Sequence, residues 1–159
     1  MAKTHTPPSH TAQSLLKAAQ NVAFGDLPPP ASYPLSPEAM EFWPAIMRMR
    51  ARDQWREGDL VFAAQLCECQ YEIKHNMQYI RAEGDVVWVE RKGGPSPVPN
   101  PRIAMVAQYR SGQLALVRTL LLGGTTGGAD KRNGAGAVRN ETAARAAAAQ
   151  VEAEEDLLA

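Results

Sequence analysis

The chain has 159 residues, 17 Lys and Arg against 17 Asp and Glu, and no formal net charge. That length allows at most one compact domain plus tails, and the neutral total leaves only the distribution of charge to speak of partners. No apolar run approaches the roughly 20 residues that span a bilayer, and residues 1–10 lack the apolar region of a secretory signal. Cys67 and Cys69, two apart on a predicted helix, splay away from each other. Free thiols in a reducing cytoplasm are therefore expected, and a metal site is not.

Residues 1–34 form one expected unit, a flexible N-terminal arm. The polar, Pro-containing stretch 1–14 predicts disorder. Leu15, Leu16, Ala19, Val22 and Ala23 predict a short amphipathic helix over Leu15–Phe24. Pro28-Pro29-Pro30 and Pro34 predict a stiff extended linker.

Residues 35–123 are the expected core. Ser36-Pro37-Glu38 reads as a helix start, with Ser as N-cap and Pro at the first helical position. Met40, Trp43, Ile46 and Met47 form its apolar side, and Pro44 argues for a kink. Arg48, Arg52 and Arg56, four apart, would make one stripe on its other side, with Arg50 off it. Such a stripe is either a solvated face pairing with Asp53 and Glu57 or a surface that tracks DNA phosphates. Glu57-Gly58-Asp59 is read as a turn, with Asp59 capping the next helix.

Two long helices, about 37 and 33 Å at roughly 1.5 Å per residue, dominate the chain. On the first, Phe62, Leu66, Cys69, Ile73, Met77 and Ile80 recur at helical spacing, and Leu60, Ala63, Ala64, Cys67 and Tyr71 mark a second apolar face. Glu68 and Glu72 read as solvated or inter-subunit groups. Glu83-Gly84 ends this helix. Val86–Val89 and Gly93-Gly94-Pro95 predict a small strand or hairpin that Pro97 and Pro99 keep short. Asn100-Pro101 opens the second helix, which carries Ile103, Val106, Ala107, Leu114, Val117 and Leu121 and stops at Gly123-Gly124. The expected fold is all-α: a long antiparallel helical hairpin with a short β element in its connector. The tails look too polar or Gly-rich to cover two apolar faces, so copies of the chain are expected to do so. Phe62, Leu66, Ile73, Met77, Ile80, Val106, Leu114, Val117 and Leu121 would carry that self-association.

Residues 124–159 are expected to be a Gly-rich linker and an Ala-rich helical tail capped by Asn140. Residues 100–139 hold six basic groups and one acid, residues 140–159 one basic group and five acids. Lys131 and Arg132 in the basic block compete with the Arg48–Arg56 stripe for phosphate contact. Gly123 and Gly128 share the glycine spacing of a phosphate loop, but Ala129-Asp130 stands where Lys and Ser or Thr are required. No nucleophile–base pair or carboxylate pair points to catalysis, and no cofactor is implied.

Taken together, the landmarks resemble the phage terminase small subunits. The carrying residues, in order, are Leu35-Ser36-Pro37-Glu38-Ala39, Phe42-Trp43, Asp59-Leu60, Glu83-Gly84, Gly93-Gly94, Asn100-Pro101, and then Leu114, Leu120, Leu122 and Gly123. The match covers residues 35 to about 124. It departs after Gly123, where Gly124-Thr125-Thr126-Gly127 replaces an expected Leu-Thr-Pro run and an Arg. The resemblance implies a non-catalytic, ring-forming subunit that binds viral double-stranded DNA in the host cytoplasm. It would hand that DNA to the large terminase subunit, which carries the ATPase and nuclease. By the same analogy Glu154, Glu155, Leu157 and Leu158 would contact the large subunit. The competing class is an oligomeric phage adaptor or scaffold without DNA recognition; a monomeric helix-turn-helix regulator fits the long helices less well.

Overall fold

The computed structural model describes residues 11–120, 122 and 129–158, with 129–133, 157 and 158 described by backbone alone. Among these residues the chain is mostly helical, with one two-stranded antiparallel sheet. The expected Gly123-Gly124 stop, Leu121 and the arm before Thr11 lie outside the described residues.

Helix α1 spans Ala12–Ala23 and starts earlier than expected, because Thr11 caps it through a 3.2 Å bond accepted from the Ser14 amide. The face it buries is also not the apolar one. Ser14, Ala18 and Asn21 pack inward, whereas Leu15 and Leu16 stay 55% and 62% exposed. The reason is its partner, the long helix α5, Ala129–Leu158. That helix approaches with small and polar residues, and Asn140 donates to Ser14 Oγ at 2.9 Å. Gly134 and Gly136, expected in a flexible linker, lie inside α5, as does Asn140, expected as its cap. Gly136 is buried there, and a Cβ added at Gly134 would meet the Gln54 side chain at 3.7 Å.

Ser36 Oγ accepts from the Ala39 amide as predicted, but the turn it opens, Ala39–Phe42, is 3-10. Helix α2 is only Trp43–Met47, with Pro44 in its first turn, where a missing N–H costs nothing. The segment before it is no free linker. The Trp43 indole donates to the Leu27 carbonyl at 2.7 Å, and Leu27, Tyr33 and Leu35 pack on the core.

Helix α3 spans Glu57–Glu83. It begins two residues before the expected cap: Arg56 is the N-cap, and Asp59 lies in the first turn, bonded to Arg50. The core gathers on its first half. Trp43, Ile46, Met47 and Trp55 meet Ala63, Ala64, Leu66 and Cys67 there. This half of α3 is covered from within the chain, by those residues and by Leu27 and Tyr33 of the N-terminal arm packed against them. Glu68, too, is bound within the chain, accepting from the Ser36 amide and hydroxyl at 2.9 and 3.1 Å. Burial, reinforced by the Glu68 charge, pushes the Cys67 thiol up to about 12, so it stays protonated and unreactive at neutral pH.

Gly84 ends α3 at φ +88, a conformation that glycine adopts without penalty. Strands β1, Val86–Arg91, and β2, Gly94–Pro99, pair from Val86↔Pro99 to Arg91↔Gly94. Pro95, Pro97 and Pro99 alternate along β2, so all three missing N–H groups face away from β1, where no ladder bond is lost. Asn100 then caps α4, Pro101–Thr119, accepting from the Arg102 amide at 3.1 Å. The start of α4 meets the end of α3 through Arg102 with Glu83 and Asn76, and its C-cap Leu120 sits in the core beside the first half of α3. The seam of α4 that turns inward, 102, 106, 109, 113, 116 and 120, alternates steps of four and three.

Candidate nucleic-acid interface

The connector from Arg48 to Arg56 is not the helical stripe that its spacing suggests. Arg48 is the C-cap of α2, Arg52 opens a 3-10 turn over Arg52–Gln54, and Arg56 caps α3. The break has an identifiable cause. The Trp55 indole donates to the Met47 carbonyl at 3.1 Å. Eight residues of straight helix would separate those positions by about 12 Å. Burying Trp55 against α3, with Ala51 also buried, folds the chain back and forbids a continuous helix.

The four arginines consequently do different things. Arg48 and Arg56 are exposed, and neither makes an ion pair among the described residues. Arg50 bonds Asp59 at 2.9 Å and lies 5.1 Å above the Trp55 ring, largely covered. Arg52 donates from Nε to the Gly25 carbonyl at 2.9 Å and stacks over Phe24. Asp53 and Glu57 do not pair with them; Asp53 bridges to Lys17 and Asn21 instead.

A carboxylate that sequence reasoning passed over organises this region. Glu141 of α5 is 4% exposed. It accepts from the Arg52 amide at 3.0 Å, Asn21 Nδ2 at 3.2 Å and Arg145 Nη2 at 2.9 Å. One acid thus ties α5 to the connector and to α1. Arg145 also donates to Asp26 at 2.6 Å. Burial pulls its guanidinium down, but the hydrogen bonds to Glu141 and Asp26 outweigh this and hold it above its ordinary value, firmly charged. Glu141 and Arg145 are the only charged residues between Asn140 and Gln150, spaced i, i+4 in an alanine-rich run. That pair was the available signal.

Between the connector and α5 lies a cavity of about 280 Å³ lined by Arg48, Arg50 and Arg145, with Glu141. Val138, Thr142 and Ala146, on one side of α5, form its wall. Of the other predicted site residues, Lys131 and Arg132 belong to the first turn of α5, but their side chains lie outside the described residues, as do those of Leu157 and Leu158. Glu154 and Glu155 are exposed near the end of α5. The predicted association set divides. Leu66, Ile80 and Val106 are buried within the chain, and Ile73, Met77 and Val117 are half-buried. Phe62 and Leu114 remain exposed, Leu114 at 56%. His75 stacks on Tyr71 and meets Tyr79 edge to face. No group of metal-ligating side chains converges among the described residues, and no helix there is long and apolar enough to cross a membrane.

The model of the Hendrixvirinae small terminase family matches residues 1–159, the whole chain. No curated protein matches it.

Proposed function

We propose that this chain, which belongs to the Hendrixvirinae small terminase family and so to the machinery of phage DNA packaging, is its non-catalytic DNA-recognition subunit. It binds the backbone of duplex DNA through the connector and presents that DNA to the large terminase subunit. The observation that carries this reading is the pair Arg48 and Arg56. Both are exposed at the two ends of a rigid connector without a carboxylate partner, so their charge is available to phosphates. Arg50 and Arg52, already bonded inside the fold, stiffen the surface from which the pair projects.

Self-association fits the same reading. Beside the inward seam of α4 runs a second one, through Ile103, Ala107 and Leu114, that is exposed along its length. A helix apolar on two sides asks for partners on two sides, and a ring of copies supplies the second. In such a ring every phosphate contact repeats, and weak contacts become strong through multivalency. The acidic end of α5, with Glu154 and Glu155, is the surface we assign to the large subunit.

The test is a salt titration of duplex binding with Arg48→Ala, Arg56→Ala and the double variant, with light scattering on the same samples. Each lost contact lowers the slope of log affinity against log salt by about 0.9 unit. An assembled double variant that binds with the wild-type slope overturns the DNA surface. A wild type that assembles yet binds no DNA favours the adaptor reading instead.

A further inference from the structure

The cleft between the connector and α5 joins three guanidinium groups that come from sequence positions almost a hundred residues apart. Its lining is net positive, with Arg48, Arg50 and Arg145 against Glu141 alone. Both Glu141 oxygens already accept hydrogen bonds from within the fold. Each guanidinium offers five N–H donors in a planar fork. Arg50 spends one of its terminal nitrogens on Asp59, and Arg145 directs one bond to Asp26 and one to Glu141, so both are fixed in place with donors left over. Arg48 is exposed and its side chain makes no bond among the described residues. At about 280 Å³ the cavity lies just below the range of roughly 300–1,000 Å³ typical of small-molecule sites. Its size and charge suit one phosphate group, and planar forks of this kind recognise phosphate oxygens in pairs.

We propose that this cleft holds a backbone phosphate of the bound DNA, gripped by Arg48 and Arg50 from the connector and by Arg145 from α5. The proposal rests on the DNA-binding reading above and adds α5 to the interface. The buried Glu141 clasp then has a role beyond stability. It holds α5 where Arg145 completes the cleft, so the position of the C-terminal helix and the grip on DNA are coupled.

The experiment uses the full chain and changes the cleft wall without touching the clasp. Ala146 is exposed, makes no polar contact and lines the cleft, and Glu and Lys are both good helix formers. In a salt titration against duplex DNA, Ala146→Glu weakens binding and lowers the salt slope by about one unit, and Ala146→Lys strengthens binding. Arg91→Ala, at the exposed end of β1, removes an equal charge elsewhere and leaves the slope unchanged. Circular-dichroism melting confirms that each variant is folded. Inorganic phosphate serves as the second probe, raising the melting temperature of the wild type and not of Ala146→Glu. If both Ala146 variants bind DNA with the wild-type slope while Arg48→Ala weakens it, the cleft assignment falls and the connector surface stands. If phosphate stabilises the wild type but neither Ala146 variant alters DNA binding, the cleft takes a free anion and the DNA assignment is overturned. A wild type that binds no duplex at any salt removes both readings together.

Discussion

The two ends of α3 are held in opposite ways. Its first half is wrapped in apolar side chains, with Trp43, Ile46, Met47 and Trp55 on one side and Leu120 from the end of α4. The polar groups there are tied off at its edge: each indole N–H reaches a backbone carbonyl, Asp59 accepts from Arg50, and Glu68 accepts from Ser36. Its last turns are held by buried polar groups. Asn76 and Asn100 are each 1% exposed, and every buried polar side-chain atom among the described residues has a partner. Asn100 donates to Glu83 Oε2 at 3.1 Å and to the Gly84 carbonyl at 3.0 Å, and accepts from the Arg102 amide. Arg102 in turn donates to Asn76 Oδ1 at 3.1 Å and lies 4.1 Å above the Tyr79 ring. The lesson is a division of labour. Desolvation is strong but undirected, and it stabilises the end that carries the arginine connector. Hydrogen bonds are weaker in net terms but directional, and they fix where α3 stops, where β1 starts and how α4 departs.

The sharpest way to break that comparison is at the apolar end. Trp43→Ala removes an almost fully buried indole and its bond to the Leu27 carbonyl. A loss of about 3–5 kcal/mol is expected, from lost burial plus the cavity left behind. Urea unfolding followed by far-ultraviolet circular dichroism measures it, and a loss below about 1 kcal/mol would mean that the core does not sit at this end. At the polar end Asn100→Ala is expected to cost less, about 1–2 kcal/mol, the cost of a lost N-cap together with a carbonyl deprived of its donor. It should also raise hydrogen exchange at the Arg102 amide, which Asn100 Oδ1 holds, while amides beside Trp43 keep their protection. Equal deprotection at both ends would show that the two halves unfold as one unit and that the division is only spatial.

Legibility in the sequence follows the same line. Features fixed by neighbours in the chain were readable: the Asn100-Pro101 start, the Gly84 stop, the small hairpin, whose turn is Lys92-Gly93 with Gly94 already in β2, and the existence of both long helices. Features fixed by distant partners were not. Nothing local tells that Trp55 must return to the Met47 carbonyl, so Arg48, Arg52 and Arg56 read as one helical stripe when they cap and turn three different elements. Nothing local tells that α1 hides Ser14 and Asn21 and leaves Leu15 and Leu16 outside, because the choice is made by α5. The candidate cleft fell into this second class. Two of its arginines stood in the predicted set, but Arg145 joins them only through the Glu141 clasp, a contact across more than eighty residues.

The smallest expected effect lies between the two ends, at the middle of the α3–α4 seam. Gly112 is inside α4, and a Cβ added there would meet Cys69 Sγ at 3.9 Å, ordinary van der Waals contact. The site is therefore spacious enough for a methyl group. Glycine in a helix interior is less favourable than alanine by roughly 0.8–1.0 kcal/mol, largely because the unfolded chain is freer. Gly112→Ala should accordingly stabilise the protein by about 0.4–1 kcal/mol, seen as a higher urea midpoint with an unchanged slope. The sign is the informative part. A gain means that the seam is closed by its two ends, with slack at the centre that a methyl can fill. A loss would mean that α3 and α4 press together at Gly112 more tightly than 3.9 Å implies, and that the middle of the seam, rather than the two contrasting ends, sets how the helices are spaced.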